Sequence, residues 1–213
     1  MNSLVLGIDT SATVCAGVAG AGVVLASGSV PDSRAHAEQL MPLVQRVLAE
    51  AGTGLSELEA IAVGVGPGPF TGLRVGVAAA TVLAETLGIP VRGVCSLDVL
   101  AVQAVEGGLV GAAEFVVATD ARRKEYYWAR YDPSGRRLDG PHVSSPQDLP
   151  ELPRVGAVTD APLALDAGRL AAIANDLPDA GLEPLYLRRP DADVPATRKS
   201  TLLPPRVTTR RVR

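Results

Sequence analysis

Aromatic residues make up only 3% of this 213-residue chain, which leaves little material for the base-stacking platforms of single-strand nucleic-acid binders. A net charge of −3 argues against a strongly basic surface over the body of the protein. The two histidines, His36 and His142, are too scattered to supply a metal site. Cys15 and Cys95 lack metal-ligand spacing and sit beside apolar residues, so both are expected as buried free thiols. Neither a His-Glu-x-x-His pattern nor a serine elbow with partners is present, which removes the usual signatures of a peptidase. No apolar segment reads as long and uninterrupted enough to cross a bilayer, and the N-terminus lacks the pattern of a signal peptide. The expected compartment is the cytoplasm.

What is present in quantity is Val, Leu, Ala and Gly, and the glycines concentrate in one string, Gly64-Val65-Gly66-Pro67-Gly68-Pro69-Phe70-Thr71-Gly72-Leu73-Arg74-Val75-Gly76. The preceding Ala60 to Val63 reads as a buried strand. Leu73, Val77, Ala80, Ala84 and Leu87 then recur at helical steps. A glycine-rich corner between strand and helix has two physical readings. Unpaired N–H groups of a first helical turn attract an anion, and Thr71 is placed to cap that turn. Equally, glycines permit close packing of helix on strand. With neither a P-loop lysine nor a dinucleotide-binding spacing, both readings stand.

In chain order, Ser3 to Ile8 is a strand closing on Asp9-Thr10-Ser11, three polar residues suited to a turn or to oxygen ligation. Val14 to Val18 and Val23 to Ser29 complete an antiparallel meander around Gly20-Ala21-Gly22. Arg34 to Ala51 has a helical pattern, with Pro42 expected to kink its first turn or delay its start to Gln39 or Met41. Val75, Ala78, Ala79, Val82 and Leu83 make the second helix apolar nearly all the way round, which calls for cover on several sides, from the domain or from a partner. Val91 to Val94 is a strand, and Ser96 is placed to cap a short helix.

Gly107-Gly108 reads as a linker, and the opening then repeats. Glu114 to Asp120 is a strand closing on an acid, and Glu125 to Tyr131 follows a tight basic turn, as Val14 to Val18 follows Asp9. The rest of this half is expected to be reduced. Pro141 to Pro153 reads as irregular, Val155 to Val158 as a strand, Arg169 to Leu177 as a short helix and Leu182 to Leu187 as a last strand. Three segments follow: a lobe over 1–106, a reduced lobe over 107–195, and a basic tail over 196–213 carrying Arg198, Lys199, Arg206, Arg210, Arg211 and Arg213. The tail is expected to lack the apolar surface needed to order itself.

Ile8-Asp9-Thr10-Ser11, His36-Ala37-Glu38-Gln39-Leu40-Met41-Pro42, the glycine string, Asp120-Ala121-Arg122-Arg123 and Pro184-Leu185-Tyr186-Leu187-Arg188 together resemble the TsaB family. The likeness runs to about Pro195. It implies an α/β, two-lobed actin/sugar-kinase/Hsp70-like (RNase H-like) fold with a truncated second lobe. It also implies a noncatalytic scaffold for TsaD in the bacterial synthesis of N6-threonylcarbamoyladenosine (t6A) at tRNA position 37. The metal-binding histidines of TsaD fall on Ser96 and Leu100, so no metal site is expected. No cofactor is expected either, ATP and Mg²⁺ being held by partner subunits. The implied partners are TsaD, the small ATPase TsaE, a second copy of the chain when TsaD is absent, and tRNA only through the complex. Pairing would use helices matching Gln39 to Ala51 and Thr71 to Leu87, with Leu40, Leu43, Val44, Val47, Leu73, Val77, Ala80 and Ala84 as contact residues. Pro69 departs from the usual Ser of the string. The candidate ligand loop comprises Asp9, Thr10, Ser11, Gly66, Gly68 and Thr71. The competing reading is an ATPase or peptidase of the same fold acting through the interlobe cleft, with Asp9 or Asp120 holding Mg²⁺.

Overall fold

The structure, a computed structural model, describes residues 3–30, 36–156 and 162–188, with the side chains of residues 36 and 37 outside that description. The expected basic tail and the stretch 157–161 therefore lie outside the described residues.

Among the described residues nine strands form two sheets. The first has the order β3-β2-β1-β4-β5, built from β1 (Leu4–Asp9), β2 (Val14–Gly20), β3 (Val23–Val30), β4 (Ala60–Gly64) and β5 (Val91–Val94). The second has the order β8-β7-β6-β9, from β6 (Phe115–Asp120), β7 (Tyr126–Tyr131), β8 (Arg137–Ser144) and β9 (Arg154–Val155). In both, an antiparallel meander is extended by a parallel strand, β4 beside β1 and β9 beside β6. The registers repeat as well: Asp9 faces Cys15 across the first hairpin and Asp120 faces Tyr126 across the second. The chain thus uses one plan twice in an α/β fold of two sheets, the second time without a counterpart of β5 among the described residues.

Side chains alternate across β1 and sort the layers. Leu6 and Ile8 point into a core with Leu40, Leu43, Val44 and Val47 of α1 (His36–Glu50) and with Val77, Ala80 and Ala84 of α2 (Phe70–Leu87). Gly7 points the other way. It is paired in register with Gly17, and on this glycine pair sits α4 (Ala167–Ile173). A Cβ on Gly7 would lie 2.0 Å from the Ala167 carbonyl oxygen, and one on Gly17 2.2 Å from the Gly168 nitrogen. Asp166 caps this helix, its Oδ1 accepting from the Gly168 N–H at 2.8 Å, the Arg169 N–H and the Ser27 hydroxyl. The segment after residue 162 therefore returns to the first sheet and does not stay within a lobe of residues 107–195. The helix α3 (Ser96–Glu106) packs Leu97, Leu100, Ala101 and Ala104 with Phe115, Val117, Ala129 and Tyr131, joining the two halves.

Several expectations change. β8 runs through Pro141, where irregular chain was expected; as an edge strand it tolerates a residue with no N–H to donate. Leu182 to Leu187 is not a strand; its Leu185 N–H bonds the carbonyl of Val65, just after β4, at 2.8 Å, and Leu182 and Leu185 pack against the core of the first sheet. α4 begins at Ala167 and ends at Ile173, earlier than expected at both ends. Pro42 neither delays nor breaks α1, which runs from His36; the proline lies on the exposed side of the helix, where a backbone carbonyl left without its helical donor is open to solvent. Contrary to the sequence reading, α2 is long and apolar enough by length and composition to cross a membrane. Here its Leu73, Val77, Ala80 and Ala84 lie in the core of the chain.

Because the groups opposing Gly7 are backbone, they cannot give way by a rotamer change. Gly7→Ala is expected to cost about 1 to 3 kcal/mol, the usual scale of overpacking, read as a lowered urea midpoint with an unchanged m-value.

Candidate functional site

The candidate ligand residues converge, but onto each other. Asp9 ends β1 and is 1% exposed, Thr10 is fully buried and Ser11 is 9% exposed. Asp9 Oδ1 accepts the Ser11 N–H at 2.7 Å and the Ser11 hydroxyl at 2.6 Å. Asp9 Oδ2 accepts the Ser96 hydroxyl at 2.5 Å. The same Ser96 oxygen takes the Gly66 N–H at 3.2 Å, and the Ser96 N–H returns to the Gly66 carbonyl at 2.8 Å. The start of α3 is thereby clamped to the glycine string. Thr10 donates its hydroxyl to the Gly72 carbonyl at 2.8 Å, attaching the β1–β2 turn to the first turn of α2.

The glycines are explained by what they lie against. A Cβ on Gly64 would sit 1.7 Å from Asp9 Oδ2, one on Gly68 2.5 Å from the Ser11 carbonyl oxygen, and one on Gly76 2.3 Å from Thr10 Oγ1. Gly66 has φ +98°, which a side chain would disfavour. Of the two readings left open by the sequence, close packing accounts for these contacts. Thr71 departs from the group: it is exposed, and α2 begins one residue earlier with Pro69 as N-cap and no side-chain cap. Ser96 is not the cap of α3 either. That position is Cys95, and the serine hydroxyl is committed to Asp9.

Burial raises the pKa of Asp9, outweighing the hydrogen bonds from Ser11 and Ser96 that favour its charged form. Burial, then the Asp9 and Asp166 charges, push the Cys15 thiol well up; burial and Asp98 push Cys95 up to about 12. Both cysteines are free and buried, as expected, and neither is a nucleophile at neutral pH. Among the described residues no group of three His, Cys, Asp or Glu side chains is placed to hold a metal ion. Ser96 and Leu100, one turn apart on α3, are 2% and 3% exposed. Leu100 belongs to the core with Phe115 and Tyr131. Asp120, the counterpart of Asp9 in the repeat, is exposed and accepts the Arg122 N–H of its own turn at 2.7 Å.

A cavity of about 580 Å³ lies elsewhere, between α3, the β7–β8 turn and the end of α4. Asp98 lines it. Its Oδ1 accepts the Tyr131 hydroxyl at 2.8 Å and lies 3.5 Å from Arg137 Nε, while its Oδ2 has no hydrogen-bond partner among the described residues. Burial raises the Asp98 pKa, against the lowering by Arg137 and Tyr131. Sequence reading missed this acid. It stands in a helix that reads only as apolar, and its partners come from the second sheet.

The eight residues expected to meet a partner are placed differently from that expectation. Leu40, Leu43, Val44, Val47, Leu73, Val77, Ala80 and Ala84 are all buried in the chain itself, none more than 8% exposed. Helical period identifies an apolar face without saying what covers it, and here the first sheet does. The outward side of α2 carries Thr71, Arg74, Ala78 and Val82, with Val75, Ala79 and Leu83 half-buried beside them. Val82 is 60% exposed.

Titration of Asp9 gives a signed test. Its folded pKa lies above the ordinary 3.8, so between those two values the native state holds a proton that the unfolded chain has lost. Stability from this group is therefore highest below 3.8 and falls as pH rises through the folded pKa. Asp9→Asn removes that dependence. The urea midpoint of the wild type minus that of the variant is expected to fall between about pH 4 and about pH 7. A difference that rises over this range would assign Asp9 a stabilising charge instead.

Comparison with known proteins agrees with this architecture. Residues 26–190 match the family model described as TsaD, tRNA N6-adenosine threonylcarbamoyltransferase. An uncharacterised protein of Mycobacterium tuberculosis is 46% identical over 206 residues, 89% of this chain and 94% of that one. The Escherichia coli tRNA threonylcarbamoyladenosine biosynthesis protein TsaB is 41% identical over 98 residues, 46% of this chain and 42% of that one. A Pseudomonas aeruginosa crystal structure, described as a protein with similarity to peptidase YeaZ, superposes with a TM-score of 0.73 at 31% identity, covering 87% of this chain and all of that one. The chain belongs to the TsaD family and, within it, to the TsaB (YeaZ) branch.

Proposed function

We propose that this chain is a noncatalytic subunit of t6A synthesis on tRNA, pairing with TsaD through the outward sides of α1 and α2. The observation that carries the reading is the water-facing strip of α2, with Val82 60% exposed on a chain of the TsaB branch. Covering one such side chain contributes roughly 1.5 to 3 kcal/mol. α1 adds Gln39, Gln45 and Arg46 as an exposed polar border. The closed surroundings of Asp9 support a noncatalytic role. Both carboxylate oxygens already accept protein donors, and Gly64 approaches too closely to leave room for a nucleotide-bound Mg²⁺. In this reading the chain needs no cofactor of its own, ATP and Mg²⁺ belong to TsaD and TsaE, and the same strip joins two copies when TsaD is absent. The complex acts in the cytoplasm.

Light scattering at micromolar concentration tests the pairing. The chain alone is expected to run as a dimer and, with the TsaD of the same organism, as a 1:1 heterodimer. Ala78→Glu with Val82→Glu should weaken pairing at least 100-fold, about 3 kcal/mol, at an unchanged melting temperature. Full pairing by that variant would overturn the assignment of the surface. Titration calorimetry with Mg-ATP should give no binding heat for the chain alone. Binding that disappears in Asp9→Asn would instead favour an ATPase working through the cleft.

A further inference from the structure

The β6–β7 hairpin closes on Arg122, Arg123 and Lys124, three consecutive non-glycine residues with φ of +61°, +52° and +62°. Left-handed backbone is unfavourable for any residue with a Cβ, and a run of three is rarer still. Glycine would relieve it at each position, yet the chain places three long cationic side chains there, all exposed. The turn is held in this form. Asp120 Oδ1 takes the Arg122 N–H at 2.7 Å, the Glu125 N–H bonds the Arg122 carbonyl at 3.0 Å, and the Ala121 N–H bonds the Glu125 carbonyl at 2.9 Å. Glu125, the nearest acid in sequence, is matched by an ion pair with Arg188.

This turn does not stand alone. The Tyr127 hydroxyl lies 3.4 Å from the Gly68 carbonyl, setting the hairpin beside the glycine string. Two residues before Arg188, Tyr186 packs at a tilt against Phe70 with ring centroids 4.6 Å apart. Arg74 lies over the Phe70 ring at 3.8 Å and donates from Nε to the Tyr186 hydroxyl at 3.0 Å. The turn is thus tied through Glu125 to Arg188, and two residues earlier in the chain Tyr186 meets exposed Arg74 at the start of α2, which puts cations on both segments of a chain of net charge −3.

We infer that this surface docks directly on the phosphodiester backbone of RNA, with Arg122, Arg123 and Lys124 as phosphate contacts and Arg74 as a fixed one. The inference rests on the tRNA-modification reading and deepens it, because tRNA then touches this subunit and not the complex alone. Backbone docking suits the composition: guanidinium and ammonium groups bind phosphate without the stacking platforms that the chain lacks. Strained, pre-set cations also lose less freedom on contact than cations on a free loop.

The test is fluorescence anisotropy of a labelled, unmodified tRNA transcript with the full chain, alone and with TsaD, over a salt series. Arg122→Gly, Arg123→Gly and Lys124→Gly together remove the charge while relaxing the backbone, so the fold should persist, checked by melting temperature. Expected is at least a tenfold loss of affinity, with the salt slope reduced by roughly 0.7 to 0.9 per lost contact, about two to three in all. Arg122→Lys with Arg123→Lys should retain most of the binding. No tRNA binding by the wild type in either form, or equal affinity and slope in the glycine variant, would overturn the inference. A glycine variant that loses TsaD pairing while keeping tRNA binding would reassign the turn to an acidic protein surface. Turn-dependent tRNA binding without TsaD pairing would leave this inference standing and defeat the subunit reading alone.

Discussion

The carboxylate of Asp9 ties together segments that are far apart in sequence. It ends the first strand, holds its own turn through Ser11, and reaches the first residue of α3 through Ser96. Ser96 in turn fixes the glycine string at Gly66. The string can come this close only because Gly64, Gly68 and Gly76 present hydrogen where any other residue would present carbon against Asp9, Ser11 and Thr10. A buried carboxylate is costly unless its oxygens are satisfied. Here three donors satisfy them, at distances of 2.5 to 2.7 Å. The donors do not fully offset desolvation, since the acid stays easier to protonate than in water. The knot thus buys specificity of arrangement at some loss of stability.

The second half shows what the same plan becomes without the knot. β6 and β7 repeat the register of β1 and β2, and Asp120 stands where Asp9 stands. Among the described residues no glycine-rich string covers it, and Asp120 remains exposed, bonded to its own turn. That turn carries three exposed cations, while its counterpart at Thr10 and Ser11 is buried under α2. One supersecondary unit has therefore been directed inward once, as a structural joint, and outward once, as a surface. The covering element decides the difference, not the hairpin.

Much of this was legible in the sequence. The internal repeat, the meander, the glycine corner and the reduced second half follow from period and turn chemistry acting locally. What escaped was non-local. The apolar period of α1 and α2 picked out Leu40, Val44, Leu73 and Val77 correctly as a face, but a core face and a partner face have the same period. Val82 and Ala78, noted only as widening the helix, prove to be the outward side. Pro141 concealed β8, because a proline is excluded from a central strand but not from an edge. Asp98 carried no signal at all, since Tyr131 and Arg137 reach it from another sheet. Ser96 looked like a cap because caps are local; its true partner lies 87 residues earlier.

The closed Asp9 site and the open outer side of α2 bear on each other. A ligand-binding corner at this place would require Asp9 to exchange Ser11 or Ser96 for an external group, and each exchange would release either the turn or the start of α3. Since α3 joins the two sheets through Leu97, Leu100 and Ala101, opening the corner would loosen the connection between the halves. Rigidity of that corner has a second consequence. α2 is fixed at its N-terminal end by the Thr10 bond to Gly72 and along its inner side by Val77, Ala80 and Ala84. Its outer side is therefore held in one orientation before any partner arrives. Little ordering entropy remains to be lost there on association, which is the condition under which a small apolar strip can support a specific pairing.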